Sequence, residues 1–248
     1  MDEQALDGLA TAVRRADSTV ALTGAGVSTA SGIPSFRGED GIWERWDSTA
    51  FHRRRLDADP AGFWTDRIEL RAELLGTDPE PNDAHEALAA MEADGHLDAV
   101  LTQNVDGLHT DAGSDQVVEL HGTNRRVRCD DCGDRRPADP VFERAASGVV
   151  PPRCGCGGIY RPDVVLFGES LDDESLDRAQ RVARESDVLL AAGSSLSVRP
   201  AALLPRLAVD AGATLAVVNF DSTPQDGAAD YLFRADVTTV LPALGRRL

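Results

Sequence analysis

The chain has 248 residues, of which 42% are hydrophobic, so it is long enough to bury a sizeable core. Its 25 basic and 42 acidic side chains give a net charge of −17, which repels phosphate backbones and anionic lipid surfaces. No run approaches the roughly 20 apolar residues that span a bilayer, and the acidic start lacks the basic region of a signal peptide. We therefore expect a cytoplasmic protein without a direct nucleic-acid or membrane partner.

The charged residues are unusual in kind. All of the basic residues are Arg, because the sequence contains no Lys, and Asp outnumbers Glu by 29 to 13. Short, strongly hydrated carboxylates at this density suit a cytoplasm of molar salt, where charge repulsion is screened within about 3 Å. Codon drift in a GC-rich genome also replaces Lys by Arg, but it does not by itself explain the net charge. We therefore favour a salt-loving prokaryotic source.

Six short apolar runs predict the buried strands of a parallel sheet. In chain order they cover residues 20–23, 98–102, 117–120, 164–167, 188–192 and 215–219. Helical patterns cover about residues 3–16, 82–94, 172–185, 200–211 and 237–247. Alternation of strands and helices predicts an α/β fold with a doubly wound, Rossmann-like parallel sheet.

Two stretches depart from this alternation. Residues 38–78 carry all three Trp and predict a small helical insert, while residues 124–160 hold all four Cys and predict a zinc-binding insert. The Rossmann-like core would then comprise residues 1–37, 79–123 and 161–248 of a single domain that covers residues 1–248.

A glycine-rich turn follows the first predicted strand directly, at Gly24-Ala25-Gly26. Such a turn lets backbone N–H groups approach a pyrophosphate. The fingerprint of hydride-transferring dehydrogenases requires Gly or Ala where this chain has Thr29. It also requires an acidic residue at a strand end about 20 residues further on, where this chain has the Trp-rich insert instead. An ordinary dehydrogenase therefore fits poorly. The alternative interpretation is a turn needed only for tight packing of strand against helix.

Polar side chains follow two of the predicted strands. Gln103, Asn104 and Asp106 come directly after residues 98–102, and His121 follows residues 117–120. Open α/β sheets bind ligands at the carboxyl ends of their strands, and these groups can bond ribose hydroxyls or a carboxamide. A neutral His121 can act as a general base near pH 7. The alternatives are a capped turn and a structural histidine.

All of the thiols lie in one short window. Cys129 and Cys132 are separated by two residues, 21 residues follow, and Cys154 and Cys156 are separated by one. In a reducing compartment four clustered thiolates indicate a tetrahedral Zn²⁺ site rather than disulfides. Four protein ligands leave no open position, so the metal would be structural. An empty or redox-active site is the alternative, because the second pair is more tightly spaced than usual.

Eight ordered motifs together resemble the sirtuins, a family of NAD-dependent protein deacylases, and the resemblance covers the chain from Val20 to about Val240. They read GAGVS, SGIPSFRG, PNDAH, TQNVDGLH, ELHG, RPDVVLFGE, GSSL and VNF. The resemblance implies that the chain is a sirtuin catalytic domain that binds NAD between the sheet and the zinc-bearing insert.

The resemblance also implies site residues. NAD would be bound by Gly24, Ala25, Gly26, Phe36, Arg37, Gln103, Asn104, Asp106, Gly193, Ser194, Ser195, Asn219 and Val237. A substrate peptide would add a strand along Val165, Phe167, Gly168 and Glu169, and one zinc ion would be held by Cys129, Cys132, Cys154 and Cys156. His121 would be the general base.

The implied reaction involves no redox step. The acyl carbonyl oxygen of a modified Lys displaces nicotinamide from the ribose, His121 takes a proton from the ribose hydroxyls, and the acyl group ends on ADP-ribose. Sirtuins that remove acidic acyl groups carry Tyr-x-x-Arg on the first insert, and no Tyr lies between Phe63 and Arg71. This absence favours acetyl groups, although Arg67 or Arg71 could partly substitute as a carboxylate partner.

The implied function is an NAD-dependent protein-lysine deacetylase whose partners are acetylated-lysine proteins or peptides. The alternatives are a protein ADP-ribosyltransferase that uses the same NAD site and a deacylase of other acyl-lysines. A non-catalytic NAD sensor is disfavoured, because a sensor has no need of His121 beside the ribose. The oligomeric state is not determined by the sequence, and a monomer is favoured.

Overall fold

The computed structural model describes residues 2–36, 41–76 and 78–248. In these ranges the strands are β1 (Thr19–Thr23), β2 (Ala99–Thr102), β3 (Val117–Glu119), β4 (Gly122–Cys129), β5 (Arg135–Pro137), β6 (Tyr160–Val164), β7 (Val188–Ala192), β8 (Thr214–Val218) and β9 (Tyr231–Phe233). The helices are α1 (Glu3–Arg15), α2 (Ile42–Arg45), α3 (Arg53–Ala58), α4 (Pro60–Leu75), α5 (Asp83–Ala93), α6 (Leu108–Asp111), α7 (Ala138–Ala146), α8 (Asp173–Glu185), α9 (Leu204–Asp210) and α10 (Val237–Gly245). No helix among the described residues is long and apolar enough to cross a bilayer.

Six of the strands form a parallel sheet in the order β3-β2-β1-β7-β8-β9. The central strand β1 is buried along its whole length and pairs with β2 on one side and β7 on the other. The chain therefore builds outwards from β1 in both directions, which opens a crevice at the carboxyl ends of β1 and β7. This arrangement confirms the predicted α/β fold and five of the six predicted strands.

Helices cover both faces of this sheet. One face packs against α1, α5 and α10 through a buried cluster that includes Leu6, Leu88 and Leu241. The other face packs against α8 and α9 through a second cluster that includes Ala183 and Leu204. Two apolar layers around one buried sheet account for the nearly continuous hydrophobic sequence of β1, β7 and β8.

Short polar side chains determine where these helices begin. Asp2, Asn82, Asp172 and Asp236 each accept a backbone N–H from the first turn of α1, α5, α8 and α10. An N-cap of this kind satisfies one of the orphan donors of the first turn and stabilises a helix by about 1 kcal/mol. The abundance of Asp therefore has a structural use at helix starts, in addition to its contribution of charge.

The remaining predicted strand, at residues 164–167, is wrong both in its position and in its direction. Residues 164–167 are expected in the parallel sheet, whereas β6 spans Tyr160–Val164 and pairs antiparallel with β4 in a separate three-stranded sheet, β5-β4-β6. The apolar run is buried for another reason, since Leu166 packs into the core of the cysteine-bearing module. A short apolar segment buried against a neighbouring module has the same composition as a buried strand.

The helices α2, α3 and α4 follow β1 in the chain and fall within residues 38–78, the stretch predicted as a helical insert. Trp64 of α4 is fully buried, and its Nε1 donates to the carbonyl oxygen of Tyr160 at 2.8 Å. This hydrogen bond joins α4 to β6, so the helical segment and the three-stranded sheet pack as neighbours. The predicted boundaries at residues 124 and 160 fall within or beside β4 and β6, and the division of the chain into core and inserts stays a prediction.

Candidate active site

A cavity of about 950 Å³ lies at the carboxyl ends of the parallel strands, between the large sheet and the helical segment. Pockets for small molecules usually measure about 300–1,000 Å³. The predicted residues that line it are Gly24, Ala25, Gly26, Phe36, Gln103, Asn104, His121, Val165, Phe167, Gly168, Glu169, Gly193, Ser194, Ser195, Asn219 and Val237. Asp106 is buried and does not line the cavity, and Arg37 lies outside the described residues.

The glycines of the first turn are required by close packing of two loops. A Cβ on Gly24 or Gly26 would lie 2.9 or 2.8 Å from the carbonyl oxygen of Gly193. The N–H groups of Gly24 and Gly26 donate to the carbonyl oxygens of Ala192 and Gly193. These two N–H groups are therefore used within the protein, and the turn serves the cavity by placing its backbone against the loop that follows β7.

The amides after β2 are oriented by the same two loops. Gln103 Nε2 donates to Ser194 Oγ at 2.8 Å, and Asn104 Nδ2 donates to Ser28 Oγ at 3.0 Å and to the Gly24 carbonyl at 3.1 Å. Asn104 is buried, whereas Gln103 is half-buried. Fixed amides at the inner end of the cavity leave their carbonyl oxygens as defined acceptors for a polar ligand.

Asp106 serves as a support for this arrangement. Its carboxylate accepts from Ser28 Oγ at 2.8 Å and from the Leu108 N–H at 2.9 Å. Burial raises its pKa above the ordinary range, and the two hydrogen bonds oppose that shift. The predicted role beside the nicotinamide is not tested by this geometry, which shows Asp106 holding Ser28 in position.

His121 lies just after β3 and lines the cavity. Its Nδ1 lies 3.0 Å from the backbone carbonyl oxygen of Gln103. Because a carbonyl oxygen can only accept, Nδ1 carries the proton of the neutral ring, and Nε2 is then the basic nitrogen. The next residue must be glycine, since Gly122 has a φ of +74° and a Cβ there would lie 2.1 Å from the Asp163 carbonyl oxygen.

Two buried histidines behind the cavity had no predicted role. The rings of His85 and His109 meet at 4.8 Å between centroids, and His109 Nε2 bonds Thr23 Oγ1 at 2.9 Å. Burial lowers the pKa of His85 to about 4, and burial with the neighbouring His85 lowers that of His109 to about 3. Both rings are therefore neutral near pH 7. The PNDAH and TQNVDGLH motifs contain them, but sequence alone does not show that they meet.

The segment from Val165 to Glu169 forms the opposite wall. Val165 N–H donates to the His121 carbonyl oxygen, and Phe167 N–H donates to the Phe51 carbonyl oxygen. Gly168 has a φ of +83°, and a Cβ there would overlap the His52 ring at 2.2 Å. The N–H groups of Val165 and Phe167 are therefore already bonded, and so are the carbonyl oxygens of Leu166 and Phe167, which accept from the N–H groups of Glu169 and Arg53. An added peptide strand would have to pair with the backbone groups of this wall that these bonds leave.

Arg67 of α4 lines the cavity although it is almost completely buried, at 6% exposed. It donates from Nη2 to Asn124 Oδ1, and its Nε has no partner among the described residues. Burial, with repulsion from Arg71 and Arg161, lowers its pKa to about 10. Arg71 is different, since it pairs with Asp139 and stacks on the Phe142 ring.

The four cysteines form one cluster at the tip of the three-stranded sheet. Their sulfur atoms all lie within 4.8 Å of one another, with Cys129 and Cys156 at 3.6 Å and Cys132 and Cys154 at 3.7 Å. None of them is in a disulfide. Tetrahedral zinc with bonds of about 2.3 Å places its sulfurs about 3.8 Å apart, so the four residues fit a zinc ion.

The chain is similar to known proteins over most of its length. The model of the Sir2 family matches residues 24–200. Over 250 residues the chain is 67% identical to an NAD-dependent protein deacetylase of Haloarcula marismortui, with coverage of 100% of this chain and 96% of the relative.

Two solved structures are similar along their whole length. A mutant of a Sir2 homologue in complex with ADP-ribose matches with a TM-score of 0.88 at 37% identity, covering 100% of this chain and 96% of that one. A Sir2 mutant with a deacetylated p53 peptide and 3′-O-acetyl ADP-ribose matches with a TM-score of 0.87 at 34% identity, covering 98% and 96%. The chain belongs to the Sir2 family, as its sequence motifs imply.

Proposed function

We propose that this protein is an NAD-dependent protein-lysine deacetylase, which transfers the acetyl group of acetyl-lysine to ADP-ribose with release of nicotinamide. The observation that carries the proposal is the position of His121, a base of defined tautomer between the Gln103 carbonyl and the wall that begins at Val165. The name of the Haloarcula marismortui relative and the products bound in a similar structure support it.

The chain's own residues would supply binding, orientation and proton transfer. NAD supplies the reacting ribose carbon, the nicotinamide leaving group and the acceptor of the acetyl group. The phosphates and the adenosine half would be bound by Gly24 to Gly26 and Gly193 to Ser195, together with Asn219 and Val237. The nicotinamide half would be covered by Phe36 and Arg37. Gln103 and Asn104 would bind the nicotinamide ribose, and Asp106 would act at the nicotinamide end by holding Ser28. His121 Nε2 would accept a proton from a ribose hydroxyl.

The peptide would bind along Val165, Phe167, Gly168 and Glu169, with the acetyl-lysine side chain entering the cavity beside His121. Cys129, Cys132, Cys154 and Cys156 would hold one structural zinc ion and supply no chemistry to the reaction. The substrates would be acetylated proteins or peptides.

The acidic surface supports a requirement for high salt. Net charge of −17 on 248 residues, with Arg as the only basic residue type besides histidine, causes self-repulsion that molar salt screens. We therefore propose that the enzyme folds and acts best in molar salt. Measuring unfolding at 0.1 M and at 3 M KCl tests this requirement, which a flat response would contradict.

The deciding experiment measures nicotinamide release from NAD in molar salt with an acetyl-lysine peptide. We expect release that depends on the peptide, that produces an equal amount of deacetylated peptide and that is lost in His121→Ala. Release without peptide, together with ADP-ribosylated protein and no loss of acetyl-lysine, would favour the ADP-ribosyltransferase. Binding of NAD without any release would favour a sensor.

A deacylase of acidic acyl-lysines is a second candidate, and Arg67 is the observation that favours it. A buried guanidinium whose bonds go to neutral groups is costly unless an anionic group reaches it. Arg67 lines the same cavity as Asn124 and Leu70, so the distal carboxylate of a malonyl or succinyl group would meet a cation there.

This candidate is tested by the ratio of kcat/KM for succinyl-lysine and acetyl-lysine peptides. If Arg67 binds the acyl carboxylate, Arg67→Met lowers that ratio at least tenfold. Arg71→Met is the matched control, because Arg71 lies one turn further along α4, is paired with Asp139 and does not line the cavity. A ratio that Arg67→Met leaves unchanged would support acetyl groups as the substrates.

A further inference from the structure

Arg161 is fully buried on β6, close to the wall that faces His121. Its guanidinium makes two parallel bonds to Glu169, from Nη1 to Oε1 at 2.5 Å and from Nη2 to Oε2 at 2.7 Å. Nη2 also donates to the Val164 carbonyl oxygen at 2.6 Å, and Nε donates to the Pro162 carbonyl oxygen at 3.3 Å. The side chain therefore bridges the strand to the end of the cavity wall.

The carboxylate of Glu169 is committed to this bridge. Besides both Arg161 bonds, its Oε2 accepts from the Leu166 N–H at 2.9 Å. Burial opposes its ionisation, but the Arg161 and Leu166 hydrogen bonds outweigh burial and lower its pKa. Although Glu169 lines the cavity, its carboxylate is held by the protein and its N–H donates to the Leu166 carbonyl oxygen, which leaves its own carbonyl oxygen as the part able to contact a peptide.

The same pair is tied to two neighbouring modules. Asp130, which lies between Cys129 and Cys132, is 3.9 Å from Arg161 Nη1 and 2.8 Å from Arg53 Nη1. Arg53 begins α3 and is also 3.6 Å from Glu169 Oε1. Two cations and two carboxylates thus join the cysteine knuckle, the helical segment and the cavity wall at one place.

We propose that Arg161 and Glu169 are positioning residues for peptide binding: their buried two-bond ion pair closes the loop from Val164 to Glu169 and sets the height of residues 165–168 over the cavity. A bidentate guanidinium–carboxylate pair fixes both distance and orientation, and a lysine ammonium cannot reproduce the fork. This inference rests on the proposed deacetylase function. It assigns a role to Glu169 that differs from direct contact between its carboxylate and the peptide.

The test compares Glu169→Gln and Arg161→Lys with the unmodified protein in molar salt. Glu169→Gln keeps the shape and removes the charge, and Arg161→Lys keeps the charge and removes the fork. We expect each to raise the KM for the acetyl-lysine peptide at least tenfold, with the KM for NAD changed less than twofold. In hydrogen exchange, the amides of residues 165–167 should exchange at least tenfold faster. Arg135→Lys is the matched control, because Arg135 pairs with Asp163 on the exposed side of the same small sheet.

Each outcome decides the proposal. Parallel effects of the two variants on peptide KM and on exchange, non-additive when the variants are combined, support it. An effect of Glu169→Gln that Arg161→Lys does not reproduce would show direct contact with the peptide and overturn it. Equal increases in both KM values, following a lower Tm, would show a general loss of structure and overturn it as well. If the unmodified protein releases no nicotinamide with peptide, the proposed function fails, while unchanged exchange in the variants would separately overturn the positioning role.

Discussion

The backbone N–H of Val165 donates to the backbone carbonyl oxygen of His121 at 2.9 Å. His121 is thereby held from two sides, since its ring bonds the Gln103 carbonyl and its own carbonyl bonds the first residue of the opposite cavity wall. His121 and the wall from Val165 to Glu169 are therefore joined directly by a backbone hydrogen bond. A change that shifts this wall is therefore expected to shift the backbone of His121 as well.

Replacing His121 by Ala should lower peptide-dependent nicotinamide turnover by a factor of about 10² to 10⁴, the usual contribution of a positioned general base. Gln103→Ala is the matched control, because Gln103 orients the ring through its backbone carbonyl, which that substitution keeps. We expect Gln103→Ala to act mainly on the KM for NAD, through loss of the Ser194 contact. Comparable losses of kcat in both variants would contradict the assignment of His121 as the base.

The buried histidines predict a loss of stability in mild acid. An ordinary histidine has a pKa of about 6.5, whereas the pKa values of His85 and His109 in the folded protein are about 4 and about 3. Below pH 6.5 the unfolded chain takes up protons that the folded protein does not. Each ring therefore contributes stability that is complete above about pH 6.5 and is lost as the pH falls towards its folded pKa.

For each unit by which the pH falls in the lower part of this window, each ring should lower the free energy of unfolding by about 1.4 kcal/mol. Urea unfolding at pH 7, 6 and 5 measures the slope. His109→Gln keeps a donor for Thr23 and removes one titrating ring, so its slope should be shallower by that amount. An identical slope in the variant would show that His109 does not titrate in the way its burial requires.

The sequence predicted the site best where the residues follow a parallel strand. Gln103, Asn104, His121 and Gly193 come directly after β2, β3 and β7, and the carboxyl ends of neighbouring strands must meet at one edge of the sheet. A residue that directly follows such a strand can therefore be placed at that edge of the sheet from the sequence alone. The apolar run at 164–167 has no such constraint, because composition does not distinguish a buried strand from a wall packed on another module.

The burial of charged side chains could not be predicted from the sequence. By residue type alone, Arg161 and Arg67 are expected at the surface, because arginine is almost never fully buried unless it is paired. Their burial follows from long-range packing: Arg161 lies between Glu169 and Asp130, and Arg67 lies against Asn124 of β4. The motif RPDVVLFGE contains both Arg161 and Glu169, yet only the turn between them brings their side chains together.

Removal of one zinc ligand should unfold the module that carries the cluster. Cys132→Ser leaves three thiolates, and a structural zinc site contributes much of the folding free energy of a small module. We expect a lower zinc content, a lower Tm and little further response to a chelator. Val149→Ser is the control on the same module, since Val149 is 49% exposed and is not one of the four clustered residues. Full stability of the chelated, unmodified protein would contradict a structural metal.

The wall that faces His121 depends on a glycine at position 168 for two separate reasons. Its φ of +83° is in the left-handed region, which costs other residues about 1–2 kcal/mol, and a Cβ would overlap the His52 ring at 2.2 Å. His52→Ser removes the ring, and a serine can still cap α3 where His52 Nδ1 accepts from the Arg54 N–H. Gly168→Ala should therefore cost clearly more than 2 kcal/mol in the unmodified background but only about 1–2 kcal/mol in the His52→Ser background. Unfolding free energies of the four proteins measure the difference, and an equal cost in both backgrounds would show that the ring does not restrict this position.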